Sequence, residues 1–554
     1  MNQPESQPAA TGAAPTRHQT QVVIVGNGPV GQTAALLLDR WGVDCIVVDR
    51  RPQRDVIGSK AICQQRDVLD VWESVGVGHQ IAAEGLTWDR ATTLYKDATL
   101  FTQPFVDTGR SVFPPFVNIS QTRTEVLLDE RIAQAAHVTP LWDHGVEQIE
   151  QDAGGVSLHC RRADGTPVVV RAAYAIVAAG SAPRELRHQL GVSFNGRSFE
   201  DKFLICDIRA DLPGWERERR FYFDPEWNPG RQVLIHPCPD STFRIDWQVP
   251  GDYELEQEEA SGALDARIRQ IIGEQPYEIV WKSVYRFHSR MVDRMRVGRV
   301  LLAGDFAHIV SPFGARGLNT GVFDAENAAW KLAFVLRGWA DDSLLDSYDS
   351  ERCAASRENI EVTGRTMDFL VPQTEEQHRI RLQRLTAALT DPSVHAQIDS
   401  GRLAEPFWYV DSPLTTPDAT RPFAGRPPRG HVPPPAPGVV LPDVPVRIAG
   451  LDCTRLRQVA RDGLLLLAGS GVDLDALRAS LEGATAAPLR YLRIADIDAE
   501  GCLQHALQAR PQEVWLVRPD AHIAAVCQAD DAPALHLALQ RAMGRATALE
   551  RAVA

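Results

Sequence analysis

Apolar residues along the 554-residue chain recur in two patterns. Short unbroken runs that stop at glycine predict buried strands, and apolar residues three and four apart predict helices packed on them. Residues 21–26 (QVVIVG) form such a strand, followed by helical spacing over 32–41 and a second apolar run over 44–48 that ends at Asp49. Far downstream the unit recurs. Residues 300–303 make a short strand stopped by Gly304 and Asp305, and after a turn holding Pro312, Gly314 and Gly317, residues 319–336 carry helical spacing. Between the two units, 58–76 and 118–131 read as helices, the second opened by a short extended piece. Residues 146–170 alternate about turns at 153–155 and 164–165, which predicts an antiparallel ribbon with a return strand at 174–178. Residues 203–250 are rich in strands and aromatic side chains, 284–295 leads back to the second unit, and helices follow to about 400. Dense proline over 404–446 predicts a linker wrapping the surface. An α/β pattern then restarts, with strands at 463–468 and 513–517 and helices at 474–481 and 532–542. Residues 1–20, rich in Ala, Gln, Thr and Pro, read as a disordered tail.

The first unit spells Gly26-Asn27-Gly28-Pro29-Val30-Gly31 between strand and helix, with the acid Asp49 about twenty residues on. In that setting Gly26 permits the tight turn, Gly28 lets the backbone approach a pyrophosphate and Gly31 allows close helix–strand packing, while Asp49 accepts from a ribose hydroxyl. The second unit exposes backbone amides where its helix begins, an end suited to anionic or electron-rich groups. Arg50, Lys60 and Arg66, in and after an arginine-rich loop, either face phosphate or form a solvated face. Gln121 either touches a ligand or caps its helix. The aromatic sheet is either a lid over a ring-shaped ligand or an ordinary half-buried sheet. The run Ala468-Gly469-Ser470-Gly471 follows a strand but completes no such motif, so no second nucleotide site is expected.

A net charge of −14 argues against nucleic acid or an anionic membrane as partner. Any phosphate must then be held by local backbone and a few arginines. The nine cysteines show no CxxC pair and no metal spacing, so they read as reduced packing residues of a cytoplasmic protein without a metal. No run reaches the roughly 18 apolar residues of a membrane helix. The length predicts two or three domains.

Taken together, GRVLLAGDFAH and SPFGARGLNTGVFDAENAAWKL, in order behind the N-terminal glycine turn, resemble the class A flavoprotein aromatic hydroxylases, the family of para-hydroxybenzoate and phenol hydroxylases. The resemblance runs from 21 to about 400. The total length and the late segment VWLVRPDAHIAA resemble the branch with a thioredoxin-like third domain, which includes 3-(3-hydroxyphenyl)propionate hydroxylase. It implies an α/β fold in which a Rossmann-like FAD-binding domain (21–400) is interleaved with a β-sheet substrate domain (about 86–120 and 190–290). A linker (401–445) and a thioredoxin-like domain (446–554) would follow. It implies FAD as cofactor and NADH or NADPH as co-substrate, with reduced flavin trapping dioxygen as a hydroperoxide and passing one oxygen to a phenolic ring.

Carried over by position, Gly26, Gly28 and Gly31 would contact the FAD pyrophosphate, Asp49 the adenosine ribose, Gln121 the flavin and Asp305 the ribityl chain. Gly317, Leu318 and Asn319 would lie beside the pyrimidine edge of the ring, and Pro312 on its substrate side. A phenol reacts faster as its phenolate, so a base or acceptor is expected in the substrate sheet. His236, Tyr222, Tyr285 and Arg244 are the candidates, each with a structural role as the alternative, and His308 is expected to be structural. The family's central Asp-Gly motif falls in AAGSAPRELR (178–187), where either Gly180-Ser181 or Ala179-Gly180 stands in its place and the aspartate is missing. The expected partners are a small aromatic substrate and dioxygen, with no nucleic acid and no membrane, and a homodimer is left open. Two alternatives stand beside hydroxylation: a decarboxylating, quinone-forming or ring-expanding flavin monooxygenase on a larger polycyclic substrate, and a flavin-binding protein with poor turnover.

Overall fold

The computed structural model describes residues 15–55, 58, 61–104, 111–399, 401, 403–427, 433–451 and 453–545. The apolar run that opens the chain forms the strand Thr16–Val25, at the centre of the first sheet. It starts five residues before the expected boundary of a disordered tail, because Thr16 to Thr20 pair in parallel with Val168 to Ala172. Residues 1–14 lie outside the described residues. Five strands run parallel in the order Val300–Leu302, Pro167–Val177, Thr16–Val25, Cys45–Val48, Val138–Leu141. Their inner residues are apolar and buried on both faces, as strands with elements packed above and below require. The predicted ribbon, Gly145–Asp152 with Gly155–Arg161, is attached antiparallel to the long strand Pro167–Val177.

Register decides where the site lies. Val25 pairs with Val177, and Val177 with Leu302, so three parallel strands end at one level and deliver Gly26, Ala178 and Gly304 to one edge of the sheet. Ligands of such sheets bind outside the carboxyl ends of the strands.

The second sheet has eight strands in the order His308–Ile309, Tyr277–Val292, Phe194–Ala210, Thr242–Val249, Gln232–Cys238, Glu218–Phe223, Arg90–Tyr95, Ala98–Pro104. One face packs Leu204, Cys206, Ile208, Val233, Ile235, Ile245 and Trp247 against Leu264, Ile268 and Ile272 of the helix Ala263–Ile272. The other face looks toward the first sheet's ligand edge. The expected helix over 58–76 is shorter than the pattern suggested. Cys63–Gln65 is a strand paired with Phe116–Asn118, and the helix is Arg66–Glu73. The asparagine clamp described below holds those residues extended.

A third, four-stranded sheet, in the order Leu489–Arg493, Leu464–Ala468, Glu513–Val517, Ile523–Gln528, completes the chain. The proline-rich stretch before it forms no helix among its described residues, in keeping with proline's missing donor. It is not a surface strap, however, since Trp408, Tyr409, Leu414, Val439 and Leu441 are buried.

The third part is held to the first by buried arginines. Arg461 reaches Asp70 (2.7 Å) and Glu326 (2.8 Å), Arg457 reaches Asp67 (2.6 Å), and Arg518 reaches Glu351 (2.5 and 3.0 Å) while also holding Asp520 (2.6 Å). Removing one partner of such a pair leaves an uncompensated buried charge. Arg461→Met, which strands Glu326, is expected to lower the unfolding free energy by ~3–5 kcal/mol. Chemical denaturation reads this directly, and an unchanged midpoint would show that the pair contributes nothing to docking.

Candidate functional site

The N-terminal turn is shaped by close backbone approach. A Cβ on Gly26 (φ +104°) would lie 2.4 Å from the carbonyl oxygen of Ala178, and one on Gly31 would lie 1.9 Å from that of Gly26. At Gly28 a Cβ would meet nothing within 4 Å, so the turn is open on that side. The helix Pro29–Arg40 starts there without a side-chain cap, leaving its first amides directed at the opening. The Asn27 side-chain oxygen is buried beside it without a partner among the described residues.

Asp49 closes the far side. Its Oδ2 accepts from the Asn27 amide (2.8 Å), and Arg51 grips both oxygens, Nε to Oδ1 and Nη2 to Oδ2 at 3.0 Å each. Burial works against this carboxylate, yet Arg51 and the Asn27 amide hold it below its ordinary range. Arg54 spans from the Asn27 carbonyl (2.6 Å) to Glu125 (2.8 Å) and Asp129 (2.7 Å) on the helix Gln121–Ile132. Both guanidiniums lie over Trp142, at 5.7 and 5.0 Å. Asp49, the open Gly28 and two local arginines form a cradle that fits a ribose and a pyrophosphate.

The second glycine unit packs directly on the first. A Cβ on Gly321 would lie 2.5 Å from Val30 Cγ2 and one on Gly304 3.1 Å from it, so the first helix, the Gly304 turn and the helix Arg316–Leu336 touch at backbone distance. Asp324, fully buried on that helix, accepts from the Gly304 amide (2.9 Å), meets His308 Nε2 (2.7 Å) and receives Arg352 Nε (2.7 Å). Burial alone would raise the Asp324 carboxyl, but His308, Arg352 and the Gly304 amide hold it below its ordinary range. Arg352 continues to the Tyr409 hydroxyl (2.9 Å). The helix begins after Ala315, whose φ of 54° is left-handed, again without a side-chain cap. A Cβ on Gly317 would come only within 3.9 Å of Val310, so this amide end is open too. Asn319 clamps the helix to the strand Cys63–Gln65: its Oδ1 accepts from the Gln65 amide (3.0 Å), and its Nδ2 donates to the Cys63 carbonyl (2.9 Å).

Along the site-facing side of the second sheet, alternation sorts the residues into rows. Tyr285 pairs with Phe203, and Phe203 with Gln248; Ser283 pairs with Ile205, which pairs with Asp246, then Leu234 and Phe221; Trp281 pairs with Asp207, which pairs with Arg244, then His236. Phe313, from the turn before the helix, packs on the aromatic end, 5.5 Å from Phe203 and 5.9 Å from Phe287. The last row is charged. Arg244 forms a buried bidentate pair with Asp207 (2.8 and 3.1 Å). His236 and Asp246 remain partly open, at 15% and 20% side-chain exposure.

These placements redistribute the expected site residues. Gly26, Gly28, Gly31 and Asp49 lie together at the first turn, while Arg50 is exposed and Arg51 and Arg54 take the inner positions. The spacing of Arg51 and Arg54 behind Asp49 was the available signal. Gln121 accepts from the Ala61 amide (3.2 Å) and donates to Glu125 (2.8 Å), and Lys60 lies outside the described residues. Asp305 is exposed at the Gly304 turn, close enough to Tyr285 to help burial raise its hydroxyl. Gly317 and Leu318 sit at the open helix end, whereas the Asn319 side chain is committed to the Cys63–Gln65 clamp. Pro312 is exposed at the crest of the turn. Tyr222 is on the wrong face: it packs with Trp227 (5.5 Å) on the helix-covered side, because its neighbours Phe221 and Phe223 point to the site. Where the aspartate of the Asp-Gly pair is missing, Arg187 ties the loop down by donating to Ser181 O (2.5 Å) and Phe306 O (3.2 Å).

The profile of the FAD binding domain family matches residues 19–363, and that of the aromatic-ring hydroxylase C-terminal domain matches 434–546. A 3-(3-hydroxy-phenyl)propionate/3-hydroxycinnamic acid hydroxylase of Comamonas testosteroni is 30% identical over 386 residues, 69% of this chain and 63% of that protein's length. One from Mycobacterium sp. (strain KMS) is 27% identical over 541 residues, 94% of this chain and 90% of that protein. Among solved structures, the flavin-dependent monooxygenase PieE in complex with FAD and substrate superposes with a TM-score of 0.83 at 24% identity, covering 96% of this chain and all (100%) of that one. Aklavinone-11 hydroxylase with FAD and aklavinone gives 0.73 at 23%, covering 95% and 99%. At those identities the structures show a shared fold.

Asp324 supplies a test of how the two turns are joined. An aspartate held below its ordinary pKa stabilises the fold fully above about pH 4 and loses that contribution as pH falls through its folded value. Asp324→Asn should therefore be less stable than wild type at pH 7 by ~3–5 kcal/mol. The gap should narrow on acidification below about pH 4. Denaturant titrations at a series of pH values measure both, and parallel profiles would remove Asp324 from this role.

Proposed function

This chain belongs to the class A flavoprotein aromatic hydroxylases, whose FAD-binding family spans residues 19–363, and on that premise we propose that it uses NADH or NADPH and dioxygen to hydroxylate a phenolic ring. One observation carries the reading: two uncapped helix ends, at Gly28 and Gly317, are locked together through Val30, Gly304 and Gly321, with Asp49 beyond one and Asp305 beside the other. That arrangement suits a long ligand with an anionic middle and an electron-rich ring at one end. Gly26, Gly28 and Gly31 would border the FAD pyrophosphate, Asp49 would accept from the adenosine ribose, and Arg51 and Arg54 would face phosphate. Asp305 would hold the ribityl chain, Gln121 would approach the flavin, and the Gly317 and Leu318 amides would meet the pyrimidine edge of the ring. FAD held there supplies hydride acceptance and dioxygen activation, while the protein supplies position and electrostatics.

The substrate ring would lie between the Pro312–Phe313 turn and the open face of the second sheet, where Phe203, Phe221 and Phe287 exclude water. The relatives' names make phenols with a carboxylated side chain the first class to test. Among the described residues no helix is long and apolar enough to cross a membrane.

Gly28→Val tests the pyrophosphate assignment, because a Cβ there meets no protein atom within 4 Å and the added methyl groups would enter the proposed ligand space. The variant should fold with an unchanged apo melting temperature and lose bound FAD; retention of FAD would sink the assignment. For the reaction, hydroxyphenyl acids should stimulate NADH or NADPH oxidation and yield a product heavier by one oxygen. Loss of carbon dioxide, a quinone or an expanded ring would support the other flavin chemistries, and flavin that neither nucleotide reduces would support binding without turnover.

A further inference from the structure

The charged row on the site-facing side of the second sheet has a feature that structural pairing leaves unexplained. Asp207 and Arg244 satisfy one another in a buried bidentate pair. Asp246, diagonal to His236 across adjacent strands, has no hydrogen bond among the described residues; its Oδ1 is buried without a partner, and its Oδ2 lies 3.8 Å from His236 Nε2. A buried carboxylate oxygen without a donor is costly, and a site that keeps one has either a strained core or an absent ligand. Here the absent ligand fits better, because both side chains keep partial exposure, 15% at His236 and 20% at Asp246. Around the pair on this face Ile205 is partly open while Arg244, Gln248 and Leu234 are buried, whereas the opposite face of the same strands is sealed throughout by Ile245, Trp247 and Ile235. Leu234, between the two side chains in register, belongs to the apolar cluster that contains Phe313. The pair therefore borders, through Leu234, the apolar cluster that the Phe313 turn closes.

Resting on the hydroxylase reading above, we propose that Asp246 is the proton acceptor for the substrate's ring hydroxyl and that His236 holds the same oxygen. The phenolic O–H bond breaks, a new O–H bond forms on the Asp246 carboxylate, and the electron pair stays on the phenolic oxygen. The resulting phenolate charge is met by the His236 ring N–H and by Arg219 and Arg244, which both act electrostatically on His236 and Asp246. Negative charge on that oxygen makes the ring carbons ortho and para to it more nucleophilic, which is what attack on activated dioxygen requires. Once the ring has taken up oxygen and lost its displaced ring proton to solvent, Asp246 returns its proton to the phenolic oxygen.

The surrounding charges suit the role. Burial, opposed by Arg244 and Arg219 and reinforced by Asp207, brings the Asp246 carboxyl up to about 7, close to where a base at neutral pH works best. Burial beside Arg219 and Arg244 pushes the His236 imidazole well below its usual range, so it stays neutral and can hydrogen-bond the oxygen. The Cys238 thiol, two residues beyond His236 on the same strand, is pushed up to about 12 by burial and so stays uncharged.

The test uses FAD-loaded wild type, Asp246→Asn and His236→Gln with 3-(3-hydroxyphenyl)propionate as probe. In wild type, product formation should rise with pH through about 7, and the bound probe should show the red-shifted phenolate absorption at pH 8. Asp246→Asn should keep its FAD and its melting temperature, lose the phenolate band and form product about 100-fold more slowly or worse. Its rate should recover as pH approaches about 10, where a phenol ionises unaided. His236→Gln, which keeps a donor, should weaken the band while retaining the pH dependence. The assignment is overturned if Asp246→Asn stays within about threefold of wild type, or if it is slow by the same factor at every pH. Wild-type enzyme that is reduced by nucleotide yet hydroxylates no phenol would overturn the hydroxylase reading, and this assignment with it; an active wild type with indifferent variants overturns this assignment alone.

Discussion

The Asp324 carboxylate is the point on which the site's geometry turns. A buried ionised carboxylate costs several kcal/mol unless every lone pair is met, and here the partners come from different elements: the Gly304 amide just past the strand Val300–Leu302, His308 at the edge of the second sheet, and Arg352 on the helix Asp346–Leu370. Moving any one would strand a charge, so the turn carrying Asp305 and Pro312 is fixed relative to both sheets. Arg352 extends the constraint to Tyr409, beside which Glu351 binds Lys331 and Arg518. The third part of the chain is thereby joined to the same ionic lattice. Burial lowers the Lys331 ammonium to about 8 even with Glu351 against it, which shows how dry this lattice is.

The two glycine turns meet at van der Waals distance for a separate reason. Gly304 and Gly321 leave just enough room for Val30, so helices from opposite ends of the nucleotide-binding part lie side by side, and their open amide ends share one cleft. Each end alone is a common feature of α/β proteins. Their shared position is set by the level at which three parallel strands stop, the edge where ligands of such sheets bind. The loop at Gly180 lacks the aspartate that its family carries, yet Arg187, between Phe194 (4.3 Å) and Phe306 (4.9 Å), still anchors it to the Gly304 turn.

The second sheet supplies the site with a face of two characters. Phe203, Phe221, Phe287 and Phe313 make one end apolar, while Asp207, Arg244, His236 and Asp246 make the other polar. A ring carrying a hydroxyl has the same two characters. Period-two alternation also explains why Tyr222, adjacent in sequence to two site-facing phenylalanines, plays no part there.

Local residue chemistry settled much of this in the chain itself. The strand–GxGxxG–helix unit, Asp49, and the Gly304-Asp305 turn with its following helix are short-range patterns whose glycine and acid positions are dictated by backbone geometry within a few residues. They were legible because no distant partner is needed to interpret them. The rest depended on residues far apart in sequence. Nothing near Asp324 announces that it will bind Gly304, His308 and Arg352, nothing near Cys63 signals the Asn319 clamp that turns an expected helix into strand, and Tyr409 gives no sign of anchoring a proline-rich stretch in the interior. Nothing in the sequence ranks Asp246 above its neighbour Arg244, because an alternating strand pattern says that two residues share a face but not which of them finds a partner. That choice belongs to Asp207 on the adjacent strand, and only pairing in three dimensions reveals it.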